Sequence, residues 1–372
     1  MVDKKNRKSN IELLRVLSML MIVIMHCLGM GGLLGECESG SFSYFFYWWL
    51  EMICFPSVNC FVLMTGYFMV KSKVTLKKML QLYGQVLFYS IICVILYVAL
   101  FHKEYSISMI VYALFPITSR KYWFVTCYMG LLFFIPMINK FIYSLEVKDL
   151  KKTMYALVLF DCVIPTVFPW SRSWLGTGGN VLWFVVLYFI GATIRLNEKI
   201  ILVEKSDFLK AGKRIVLYAL LAGIAMYSHY IIEWGNRKYH ISMDAYWLYQ
   251  NNSIIACLMA LLLFSLFLTI DIKKDSAKIV INYLGKISFS VYLWHNNDLI
   301  RTELWSAIKN IRNILGKMGG IDTFLFVLLV SIGIYLLAIP LEFIRSIINK
   351  FVKADVLFEK MEKNRFCERL GR

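Results

Sequence analysis

Arg15 and His26 stand eleven residues apart in an apolar run, Asn10–Leu28, NIELLRVLSMLMIVIMHCL. At about 100° per residue, eleven residues return to within roughly 20° of the same helix face, about 16 Å further along the axis. A guanidinium at one depth can hold a phosphorylated donor. An imidazole at another can take a proton from a hydroxyl or attack a thioester, its unperturbed pKa being about 6.5. Glu12 falls on nearly the same face as Arg15, one turn away, and can pair with it. A run of this length, preceded by Lys4, Lys5, Arg7 and Lys8, can cross a bilayer, which takes about 20 apolar residues. Charges inside such a span are costly unless they face protein, water or a partner, so they mark a candidate site. The bland alternative is a signal anchor whose arginine snorkels to the headgroups and whose histidine packs in a bundle.

A second polar stretch lies late in the chain, Leu284–Ile300, LGKISFSVYLWHNNDLI. It crowds Ser288, Ser290, Tyr292, His295, Asn296, Asn297 and Asp298 into one short segment. A helix of this kind must line a wet cavity or a bundle interior. Read as continuous helix, Tyr292 and His295 share a face, and Asp298 extends it by a turn. His295 can bind an acceptor, support His26, or be a satisfied interhelical histidine. Asp161, inside an apolar segment, and Glu233 and Asp244 are further acidic groups that could contact a sugar. His102, His229 and His240 read as ordinary surface or interfacial histidines.

These residues must be positioned by membrane helices. The 372 residues are 59% hydrophobic with a formal net charge of +17, and the apolar excess is segmented, the pattern of a polytopic membrane protein. The fold class expected is all-α, a membrane bundle of about ten spans near 11–31, 44–69, 79–101, 122–143, 154–170, 180–196, 214–233, 246–270, 285–305 and 321–344. Basic residues cluster in alternate loops: Lys71, Lys73, Lys77 and Lys78; Lys148, Lys151 and Lys152; Arg195, Lys199, Lys205, Lys210, Lys213 and Arg214; Lys273, Lys274 and Lys278. The intervening Gly29–Ser43 has none and Ser171–Gly179 only Arg172. This positive-inside pattern puts both termini in the cytosol of a multi-pass cell-membrane protein and argues against nucleic acid as the partner of the charge. Residues 1–344 read as one transmembrane domain and 345–372 as a basic tail that hugs the anionic leaflet. The first run lacks a small-residue cleavage site, so no cleavable signal is expected. The nine cysteines show no C-x-x-C pair and no Cys/His ligand spacing, so no metal is expected.

Arg, ten residues, then His in a first span opened by a polar-acidic-Leu-Leu-Arg start resembles the hallmark of the acyltransferase-3 family of integral membrane acyltransferases. The likeness continues in order through Thr65-Gly66-Tyr67 before a basic loop, Trp123-Phe124 in RKYWFVTCYMGLLFFIP, WFVVLYFIGATIRL at Trp183–Leu196, and the Ser-x-x-x-Tyr-Leu-x-His of Ser288–His295. Physically, the first of these favours close helix packing, and Trp123 fits an interfacial aromatic belt. The resemblance implies acyl transfer, most often of acetyl from acetyl-CoA, onto hydroxyls of cell-surface glycan or lipid-linked glycan precursors. It implies catalytic roles for His26, as base or acyl relay, and for Arg15. Donor phosphates would meet Arg15 and the loop lysines Lys71, Lys73, Lys77 and Lys78. Relatives carry an arginine pair in that loop, and a lysine keeps the charge but loses bidentate recognition. Acceptor contacts are expected from Glu12, Trp123, Tyr292 and His295.

A different class fits the same polar groups: a transporter or flippase of glycan or lipid intermediates, with the intramembrane residues forming a path. It predicts flux without an acyl donor and unchanged glycan O-acetylation on deletion. Transporters often carry repeated halves, and none is visible in this sequence. The lipid bilayer and acyl-CoA are the partners expected on the enzyme reading, with the oligomeric state open, a homo-oligomer included.

Overall fold

The computed structural model describes residues 8–119, 121–197, 208–316 and 318–363. Of the basic residues noted above, Lys4, Lys5, Arg7, Arg120, Lys199, Lys205 and the end of the tail lie outside them, and of Lys210 only the backbone is described.

The described chain is helical throughout. It opens with α1 (Ser9–Gly29), α2 (Leu33–Glu36), α3 (Phe42–Cys54), α4 (Ser57–Met69), α5 (Leu76–Phe101), α6 (Ile107–Leu114) and α7 (Trp123–Ser144). There follow α8 (Val147–Val158), a π-helical turn over Leu159–Val163, α9 (Ile164–Val167), α10 (Arg172–Leu175), α11 (Val181–Leu196) and α12 (Phe208–Tyr239). The chain continues through α13 (Ile254–Thr269), α14 (Asp275–His295), α15 (Asp298–Leu315), α16 (Gly320–Phe351) and α17 (Ala354–Lys363). Side-chain oxygens start many of these helices where the sequence supplies them: Ser41, Thr75, Ser106, Asn180, Ser253 and Asn297 each accept a backbone N–H of the first turn. Each satisfies one donor that the helix itself leaves unpaired.

Among the described residues, seven helical stretches are long and apolar enough to cross a membrane, eight if the segment Val147–Leu175, bent by 116° before Pro169, is one span. The two expected spans that fall short differ in kind. Val181–Leu196 is apolar but has only 16 residues, about 24 Å of helix. The expected span at 285–305 is not one helix: α14 stops at His295, and a turn at Asn296–Asn297 starts α15. The boundary drawn at 344 falls inside α16, which runs on to Phe351 with Arg345 paired to Glu342 at 2.5 Å. Beyond it α17 folds back onto the start of α5, where Glu359 meets Lys77 at 3.4 Å, Gln81 donates to Asp355 at 2.7 Å and Phe358 lies over Gly84.

The first helix is the hub, packed against α3, α4, α13, α14 and α16. It runs parallel to α14: Glu12, near the start of α1, lies against Gly285 midway along α14, and His26 against His295 near the ends of both. A Cβ on this glycine would meet the Glu12 carboxylate, which would have to move aside. The tightest crossing is α4 on α11, where Cβ atoms on Gly66 and Gly191 would overlap the carbonyls of Tyr188 and Leu63. Small residues let these backbones approach, as in other membrane helix pairs.

Candidate active site

His26 and His295 meet at the far end of the α1–α14 seam. His26 Nδ1 lies 3.0 Å from His295 Nε2, and His295 Nδ1 lies 2.5 Å from the Val291 carbonyl one turn back. The tautomers follow from who can accept. A carbonyl only accepts, so a neutral His295 carries its proton on Nδ1; its Nε2 is then the acceptor, and His26 Nδ1 donates to it. In a neutral His26 this leaves the lone pair on Nε2, the nitrogen not engaged with His295. Trp305 of α15 closes the back of the pair, edge-on to both rings at 6.4 and 6.5 Å.

His26 lines a cavity of 170 Å³. Its wall is mostly apolar: Met19, Ile22 and Met25 of α1, Phe55, Val58 and Phe61 around the α3–α4 junction, Trp123 and Phe124 of α7, and Phe289 of α14. Four polar side chains interrupt it: His26, Asn251, Tyr292 and Asn296. The Tyr292 hydroxyl and Asn296 Oδ1 hydrogen-bond to nothing described beyond the cavity wall. Trp123 is 39% exposed at the rim.

The sequence-derived candidates therefore separate into three groups. His26, Tyr292 and Trp123 share the cavity wall, with His295 immediately behind His26. Arg15 lies on the stripe that continues through Met19, Ile22 and His26 but stops a turn short of the wall; it pairs with Glu12 at 3.4 Å and keeps 30% of its side chain exposed. Glu12 is buried against α14 and likewise off the wall. The loop lysines lie past the opposite end of α4 from the cavity: Lys71 and Lys73 are exposed, Lys78 donates to the Lys73 carbonyl at 2.7 Å, and Lys77 is engaged by α17.

Two expectations need correcting. Asp298 does not extend the Tyr292–His295 face, because the helix has ended; it opens α15 and pairs with Lys121 at 3.2 Å and Arg301 at 3.0 Å. Asparagine and aspartate at 296–298 favour a new N-terminus over continuation. His229 is no surface residue: it is 1% exposed, its Nδ1 is 3.0 Å from the Tyr249 hydroxyl, its Nε2 is 3.2 Å from Glu233, and Trp48 stacks on it at 3.7 Å. Tyr44 donates to the same Glu233 at 2.7 Å. The histidine and glutamate four residues apart were the available signal. Asp161 is fully buried in the π-helical turn, away from the cavity wall. Asn251 and the aromatic wall residues were missed, and nothing in their types announced them.

An acyltransferase-3 family model, described as an acyltransferase domain, matches residues 8–343. No curated protein and no solved structure matches the chain.

Proposed function

The chain belongs to the acyltransferase-3 family, and on that premise we propose that it moves an acetyl group from cytosolic acetyl-CoA to a hydroxyl of a cell-surface polysaccharide or its lipid-linked precursor. The observation that carries this reading is His26 on the wall of the apolar cavity with His295 hydrogen-bonded behind it. His295, fixed by the Val291 carbonyl, holds the His26 proton on Nδ1 and so turns a basic nitrogen toward the reactants. A third group that orients a base in this way is the logic of catalytic triads.

The acceptor hydroxyl hydrogen-bonds to His26 Nε2, and its oxygen attacks the thioester carbonyl carbon as the proton passes to that nitrogen. When the C–S bond breaks, the leaving thiolate takes the proton, giving the ester and free CoA thiol. In the covalent version, Nε2 attacks the thioester carbonyl carbon first and the C–S bond breaks with CoA leaving as the thiolate; the acceptor oxygen then displaces the imidazole from the acetyl carbon, and the acceptor's proton ends on the thiolate. Tyr292 offers a hydroxyl beside the reacting groups, and Trp123 a rim surface on which a sugar ring can lie. Arg15 and the basic loops supply the field that draws a polyphosphate donor to the cytosolic side, the side on which the lysine distribution puts both termini.

The test is transfer of labelled acetyl from acetyl-CoA to purified glycan by membranes holding the protein. His26→Ala is expected to lower transfer about 10²–10⁴-fold, the range for loss of a general base; transfer at the parent rate would remove His26 from the chemistry. Rapid denaturation near neutral pH without acceptor separates the two routes, since label stays on the protein only if the histidine is acylated.

A further inference from the structure

Asn251 sits in a tight turn over residues 250–253, closed by the Ser253 N–H donating to the Gln250 carbonyl at 2.9 Å, just before Ser253 caps α13. Its neighbours lock that turn. Asn59 of α4, placed between the cavity-wall residues Val58 and Phe61, donates to the Asn251 carbonyl at 2.8 Å, and its own oxygen accepts from Trp183 Nε1 of α11 at 3.0 Å. Asn59 and Trp183 are both buried. Gly178, at φ +82°, packs against the same turn so closely that a Cβ there would lie 2.6 Å from Asn252 N and 2.8 Å from Asn251 Cβ. The backbone is pinned, yet the Asn251 side-chain amide hydrogen-bonds to no described residue and lies on the wall of the His26 cavity. At 170 Å³ that cavity takes one small guest, since a cavity of about 150 Å³ is filled by benzene. Polar groups on its wall therefore share that guest.

We propose that the Asn251 amide N–H donates to the carbonyl oxygen of the thioester and stabilises the negative charge which that oxygen takes up during acyl transfer. When a nucleophile adds to the carbonyl carbon, the C=O electron pair moves onto oxygen; it returns to the carbon as the C–S bond breaks and CoA leaves as the thiolate. In an apolar chamber little water can solvate that oxygen, so a donor already set in the wall counts for more than it would in bulk. His26 Nε2 cannot serve, because as base or nucleophile it contributes a lone pair. The Tyr292 oxygen and Asn296 Oδ1 are shut off from solvent, and Arg15 stops short of the wall. The Asn251 amide has hydrogens to give and, among the described residues, no partner to leave. Its fixed backbone supplies the preorganisation that such a donor needs. The role rests on the acyltransferase reading and serves the direct and covalent routes alike, since both begin with attack on the same carbon.

The test is transfer of labelled acetyl by the full chain in nanodiscs, measured over a range of acetyl-CoA and of glycan concentrations for the parent, Asn251→Ala and Asn251→Leu. Residue 251 is not in the left-handed region, so neither substitution strains the turn, and leucine keeps nearly the same shape without the N–H. Equal melting temperatures confirm that each variant is folded. The expected result is a kcat lower by about 10²–10³-fold in both variants, the usual loss of one oxyanion donor, with the KM for acetyl-CoA and for glycan little changed. A rise confined to the glycan KM would overturn the proposal and make Asn251 an acceptor contact instead. Parent rates in both variants would overturn it outright. A parent that transfers no acetyl would sink the acyl-transfer reading and the Asn251 role together, whereas an active parent confines any failure to Asn251.

Discussion

His295 touches His26 and the Val291 carbonyl but is not on the cavity wall, so its proposed role is positioning. Leucine at this position leaves His26 Nδ1–H without its acceptor and frees the ring to rotate or change tautomer. His295→Leu should lower kcat about 10²-fold with KM little changed, and glutamine, whose amide oxygen can accept the same proton, should restore part of the loss. Equal effects of leucine and glutamine, or a loss confined to KM, would show that the imidazole is only filling space. The two histidines were legible in the sequence because polar groups in apolar runs are conspicuous. Their contact was not, since it depends on how two helices distant in sequence align. Met19, Ile22, Phe55 and Phe289, which shape the cavity, look like any other membrane residues until the bundle closes around them.

Among the elements, the α4–α11 crossing is the one with least tolerance. Gly191 faces the Leu63 carbonyl and Gly66 the Tyr188 carbonyl with no room for a side chain. Gly191→Val should destabilise the protein by about 1–3 kcal/mol, the usual cost of overpacking, read as a lower melting temperature in detergent; an unchanged value would mean that the helices separate freely. The small-Gly-Tyr phrase already pointed to close packing on the sequence, because only small residues allow it. The break between α14 and α15 was also written there, in Asn296-Asn297-Asp298. It was obscured because a polar helix lining a cavity and a polar turn between two helices have similar composition. The structure resolves it through Asn297, which accepts from Leu299 N and donates to the Tyr122 hydroxyl.

At the scale of the molecule, the segmentation into apolar helices and the basic loops between them could be read directly, since bilayer thickness and the surface charge of the inner leaflet act on composition. The fate of the C-terminal segment could not. Its composition suggested a leaflet-bound tail, whereas α17 lies on α5 through Glu359, Asp355 and Phe358. Removing residues 354–372 should lower stability by only about 1–2 kcal/mol, since exposed ion pairs give little and one half-buried ring gives most of the rest. A thermal shift of a few degrees with acetyl transfer retained is expected, and loss of transfer at unchanged stability would assign the segment a direct part in the reaction. The greasy lining of the chamber beside His26 has one more effect. Few solvent molecules can settle next to an activated acyl group there, so in the proposed reaction an idle enzyme waiting for its acceptor would squander little donor to hydrolysis.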